Sequence, residues 1–143
     1  MAKSTTTCNN LLKLLFNGTA WANVADNAAS TPLTNLYLSL HTADPGVGNS
    51  QATSETSYTN YARIALARTS GGWTVATNTA TNAALAQFAQ CGATGATLTH
   101  VAIGTAASGA GNVLYAGALN SSLAVANGIQ PQFAASALVA TET

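Results

Sequence analysis

Charge is what this sequence has least of. Lys3, Lys13, Arg63 and Arg68 oppose Asp26, Asp44, Glu55 and Glu142, so 6% of 143 residues are charged, against about 25% in ordinary soluble domains. Four scattered cations cannot track a phosphate backbone, and nucleic acid is not expected as a direct partner. A net charge of zero on so few groups keeps a free monomer poorly solvated and suits a surface covered by neighbours. Disorder needs low hydrophobicity with high charge, and at 48% apolar the chain has neither. Long apolar runs are missing too. No stretch approaches the roughly 20 residues that span a bilayer, and Lys13 splits the run from Leu11 to Phe16 with no cleavage pattern behind it, so synthesis in a reducing cytoplasm is expected. Cys8 and Cys91 stand far apart without CxxC spacing and read as small buried apolar residues. Aromatics reach only 6%, while Ala alone supplies 31 residues. An Ala-rich core gains less per ordered residue than one of Leu or Ile, which makes subunit contacts a natural further source of stability.

What is present reads first as a short helix. Ser4 or one of Thr5–Thr7 caps it, and Cys8, Leu11, Leu12 and Leu15 fall on one stripe. Asn17-Gly18 then ends it, with residues that tolerate the left-handed conformation. Residues 19–35 form a connection with Trp21 as its one large anchor. From Leu33 the period becomes two. Leu36, Leu38 and Leu40 alternate with Tyr37, Ser39 and His41, a strand with one buried face, stopped by Asp44-Pro45-Gly46. Residues 46–60 look too polar for a core element. Further strands are expected at Ala62–Arg68, at Trp73–Val75 as its hairpin partner across Gly71-Gly72, at Ala83–Gln90, Leu98–Gly104 and Val113–Leu119. Ser122–Ala126 leads into a hairpin at Asn127-Gly128, and a last strand runs from Gln132 to Thr141. Seven or eight short strands with regular turns predict an all-β, antiparallel β-sandwich of jelly-roll type behind a short N-terminal helix. Residues 1–32 form the helix and arm, and residues 33–143 the sandwich.

The groups that catalysis or metal binding would need are not assembled in the sequence. Asp26, Asp44 and Glu55 lie in loops without a second acid nearby, so no carboxylate pair is expected. Two His and two Cys at these spacings make no metal site, and His41 and His100 read as structural rings bonded to backbone. No GxSxG elbow occurs. The stretch GTAASGAG at 104–111 lacks the Lys of a phosphate loop and reads as a turn. No catalytic residue, cofactor or metal is expected.

The segments LYLSLHTADPG (36–46), YARIALAR (61–68), THVAIGTAASGAGNVLYAGAL (99–119) and NGIQPQFAASALVAT (127–141) resemble a family of small virion proteins of tailed bacteriophages, labelled either tail-fibre-like or capsid decoration (cement) proteins. The nearest likeness is to the cement proteins of short-tailed phages such as those of Bordetella. That resemblance implies a jelly roll on the capsid exterior of a virion, made in the host cytoplasm, which bridges major capsid protein subunits. It also implies no catalysis. The alternative is a tail-fibre or receptor-binding module for a host glycan or protein, for which Tyr58, Tyr61 and Trp73 are the few suitable side chains. Self-association is expected in either case, as a homodimer with a trimer as runner-up. Leu11, Leu12, Leu15 and Trp21 are the candidate interface residues, their other use being to pack on the parent domain.

Overall fold

A computed structural model describes residues 2–21, 24–25, 32–46, 48 and 50–143. The elements run α1 (Thr5–Asn17), β1 (Asn35–His41), β2 (Ile64–Ala67), β3 (Trp73–Ala76), β4 (Thr79–Asn82), β5 (Ala86–Gln87), β6 (Ala96–Gly104), β7 (Val113–Val125), β8 (Gln132–Phe133) and β9 (Val139–Thr141). The strands form three antiparallel sheets, ordered β2-β1-β6-β7, β3-β4-β9 and β5-β8. This is the all-β class expected, consistent with a β-sandwich, with its short N-terminal helix in place. Contacts group the chain into two compact units. One holds residues 1–35, 66–86 and 133–143, and the other 36–65 and 87–132.

In the first unit the helix begins and ends as its sequence dictates. Ser4 Oγ accepts from the Thr7 amide at 3.1 Å, and Gly18 closes it at φ 62° with its N–H on the Lys13 carbonyl. Its last turn holds no basic residue, and the cation that its terminal carbonyls favour comes from Arg68, which donates to the carbonyls of Leu14 and Leu15. The helix packs on β3 and β4. Its buried line is Cys8, Leu12 and Phe16. Leu11 and Leu15, expected on that stripe, stay half-exposed, because the inward direction follows i, i+4, i+8 and ends on Phe16. There Phe16 meets fully buried Trp73 edge-to-face at 4.7 Å, a geometry favoured by the ring quadrupoles.

Several turns differ from expectation. Trp73–Ala76 does not pair with β2; it pairs with β4 through Thr77-Asn78, and Gly72 instead serves a tight approach in which a Cβ would lie 2.1 Å from the Ala67 carbonyl oxygen. Only Ala86–Gln87 of the Ala83–Gln90 stretch is strand. Asn127-Gly128 turns the chain, with Gly128 at φ 86°, but leads into β8, which joins β5 instead of returning along β7. Ser136 at φ 64° divides the expected last strand into β8 and β9. Conversely, the two strands expected between Val113 and Ala126 are one, β7.

Asn82 ties the first unit together. Fully buried, it donates to the carbonyls of Ala84 and Ala134, both at 2.8 Å, and accepts from the Leu138 amide at 2.9 Å. Removing it leaves three backbone groups without partners, each worth about 1–3 kcal/mol when buried. Asn82→Ala is therefore expected to lower unfolding free energy by at least about 2 kcal/mol, measured by urea denaturation; a loss below about 0.5 kcal/mol would contradict this role. Thr77, a β-branched residue at φ 51°, is strained in that region. Thr77→Gly should raise stability by up to about 1 kcal/mol, and an unchanged or lower melting temperature would show that the strain is not released.

Candidate functional site

The second unit is built around polar side chains that β1 turns away from its leucines. Leu36, Leu38 and Leu40 are buried as expected, but so are Ser39 and His41, both with no exposed surface. What covers them is the loop that looked too polar for a core. Gln51 is fully buried; its Nε2 donates to the Tyr37 carbonyl at 3.2 Å and reaches Ser39 Oγ at 3.5 Å. Its Oε1 accepts from the Ala106 amide at 3.0 Å. A Cβ on Gly104 or Gly111 would lie 2.1 or 2.3 Å from the Gln51 side chain. The glycines of GTAASGAG thus make room for a glutamine.

His41 completes a directed chain. Its Nδ1 lies 2.9 Å from the Thr53 carbonyl, which can only accept, so Nδ1 carries the proton and Nε2 must accept from Ser39 Oγ at 2.9 Å. Ser39 Oγ then accepts from Gln51. Burial lowers the His41 pKa from its ordinary 6.5, outweighing the Thr53 carbonyl and Glu55, which raise it. The ring is neutral at pH 7. A Ser–His hydrogen bond is also what nucleophilic catalysis uses, and sequence spacing alone did not reveal this one. With no exposed surface on either side chain, no substrate reaches Ser39 Oγ in this conformation.

Above this layer Glu55 and Arg63 pair through two 2.7 Å bonds, Nε to Oε1 and Nη2 to Oε2. Arg63 also donates to the carbonyls of Ala106 and Gly109 at 2.9 and 2.7 Å, so it clamps the 104–111 loop to the 50–60 loop. Tyr61 accepts from the Leu40 amide at 3.1 Å and donates to Glu55 at 2.7 Å; burial pushes its pKa far up. Tyr58 donates to the Ala89 carbonyl at 2.9 Å, and burial pushes its pKa up to about 12. An open groove of about 530 Å³ runs over these residues, bordered by Ser57, Asn60 and Ser108. Its one acid, Glu55, and one base, Arg63, neutralise each other, so the groove carries no net formal charge.

The four interface candidates are not gathered into this site. Leu12 has no exposed surface and is spent on the helix's own packing, while Leu11, Leu15 and Trp21 are half-exposed. Trp21 bridges to Ala25. Of the aromatic candidates, Trp73 and Tyr58 are buried and Tyr61 is half-buried. His100, opposite His41 across β1 and β6, bonds Thr99 Oγ1 at 2.9 Å. Among the described residues no group of three or more His, Cys, Asp or Glu could hold a metal ion, and no helix is long and apolar enough to cross a membrane.

Against this fold, the family described as "Podophage GP4 fiber I protein gp80" matches residues 2–141. The chain belongs to this podophage fibre family. It is therefore a phage virion protein of the fibre type. The virion origin implied by the strand segments holds, and the matched family, one of fibre proteins, does not support the particular likeness to Bordetella-type cement proteins. The match takes in the N-terminal helix, which lay outside the resembling segments. No curated protein matches the chain.

The polar core gives this fibre-family protein a pH dependence with a definite sign. Well above pH 6.5 His41 is neutral folded and unfolded, and its contribution to stability is at its plateau. Below it the unfolded chain binds a proton that folded His41 resists, so stability falls as pH drops toward the lower folded pKa. His41→Gln should be less stable at pH 7.5 by about 1–3 kcal/mol and should lose part of the decline between pH 7 and 5. Parallel melting-temperature profiles for variant and parent would show that His41 does not titrate in this way.

Proposed function

We propose that this chain is a non-enzymatic structural subunit of the tail fibre of a podophage virion. The family match over residues 2–141 carries the reading, and the chemistry of the site agrees with it. Its titratable groups are used inside the fold: His41 bonds Thr53 and Ser39, and Glu55 is bound by Arg63 and Tyr61. Such a site locks two loops in place and offers a neutral surface. A receptor-reading role has less support, because the recognition aromatics this chain offers are largely drawn into its own packing. Capsid decoration, with the major capsid protein as partner, is the other reading; the strand resemblance favours it and the matched family does not.

Electron microscopy of virions labelled with gold-tagged antibody to this chain tests the placement. The label is expected at the tail fibres. Label spread over the shell would contradict the fibre reading and support decoration of the capsid.

A further inference from the structure

The buried polar chain beneath the groove admits only one order of protons, because the backbone groups that bound it cannot change roles. The Ala106 N–H can only donate, so it must meet Gln51 Oε1. The Tyr37 carbonyl can only accept, so it must meet Gln51 Nε2. The Gln51 amide is thereby held in one orientation and presents a donor to Ser39 Oγ. At the other end the Thr53 carbonyl takes the hydrogen on His41 Nδ1. Between these ends the Ser39 hydroxyl has one place for its own hydrogen, His41 Nε2. Among the described residues Ser39 Oγ has no further hydrogen-bond partner.

A second proton on the His41 ring breaks this order. It comes from solvent and adds at Nε2, the ring nitrogen that carries no hydrogen, which then becomes a donor. Ser39 Oγ would face two donors, one from His41 and one from Gln51, and its own hydrogen would have no acceptor. The Gln51 amide cannot turn over to supply one, since that sets its oxygen against the Tyr37 carbonyl and its NH₂ against the Ala106 N–H. Ser39, His41 and Gln51 have no exposed surface, so water does not relieve the mismatch while the site stays closed. Burial opposes the charge most strongly. Of the titratable groups around the ring, Glu55 favours the proton, while Arg63 and, from β6, His100 oppose it. Tyr61, whose own proton burial holds in place, adds no charge.

We propose that His41 is an acid-sensing latch beneath the groove: a proton gained at Nε2 frees the loops at 50–56 and 104–111 together, and the groove they wall opens. Thr53 and Gln51 belong to the first loop and Ala106 to the second, so both lose side-chain anchors in the same event. Arg63 couples them, since it binds Glu55 of the first loop and the carbonyls of Ala106 and Gly109 in the second. Glu55 and Thr56 from one loop and Ala107, Ser108 and Gly109 from the other line the groove, so the opening remodels it. This places in two loops what overall stability alone would spread over the chain. The latch works wherever in the virion the chain sits.

Hydrogen exchange followed by NMR on the full chain tests this at about pH 7.5 and about pH 5, with each rate corrected for the intrinsic effect of pH. Protection at residues 50–56 and 104–111 is expected to fall about tenfold on acidification, while the amides of β3, β4 and β9 keep theirs. The ring ¹⁵N shifts of His41 should show Nε2 without hydrogen at the higher pH and gaining it in step with that loss. This readout uses the parent alone and survives failure of a variant to fold. His41→Gln, which keeps Glu55 and Arg63, should abolish the difference between the two pH values. Protection that does not change with pH, a loss shared equally by β3, β4 and β9, a His41 proton gained with both loops closed, or a His41→Gln variant that responds as the parent does would each overturn the proposal.

Discussion

The side-chain amide of Gln51 is the contact on which the second unit depends. With no exposed surface, it satisfies the Tyr37 carbonyl and the Ala106 amide and orients Ser39, which orients His41, which binds Thr53. Strand β1 and the loops at 50–56 and 104–111 are thereby parts of one hydrogen-bonded chain. Leaving any link unmade costs about 1–3 kcal/mol, a large share of a domain's net stability. In a chain with 31 alanines and 6% aromatics, large side chains are too few to specify every contact. Directional polar contacts do that work here, and Gly104 and Gly111 keep clear the space they need.

The same economy governs the charges. Glu55 and Arg63 hold each other, Lys3 meets Glu142, and Arg68 sits on the end of the helix. These contacts use most of the charged side chains among the described residues, and the long stretch from residue 69 to 141 has none. A surface of this kind repels neither its own copies nor neutral neighbours, and it lacks the fields that steer charged ligands. That is consistent with life in a virion of many packed subunits.

The sequence made local chemistry legible and left the covering of faces obscure. The helix could be read because Ser4 and Gly18 act on their nearest amides and carbonyls. Strand β1 could be read from its alternating leucines, but a period of two says which face is apolar, not what lies over the other. Gln51, ten residues beyond His41 in a polar loop, had no signal of its own, so the buried polar core was missed although the backbone bond of His41 was foreseen. The β3–β4 turn was hidden because Thr77 takes a conformation that β-branched residues avoid. The single strand β7 was hidden because Val113–Leu119 and Ser122–Ala126 read as separate segments, whereas the residues between them lie where the β6 register shifts. Resemblance of strand segments reached the virion but not the place within it, since shared strands report a fold and the fold does not fix the partner.

Hydrogen exchange on Gln51→Ala, compared with the parent, measures most directly whether one amide holds both loops. Protection should fall together at residues 50–56 and 104–111, while the amides of β3, β4 and β9 keep theirs. Loss confined to the immediate neighbours of residue 51, or spread evenly over the whole chain, would contradict it.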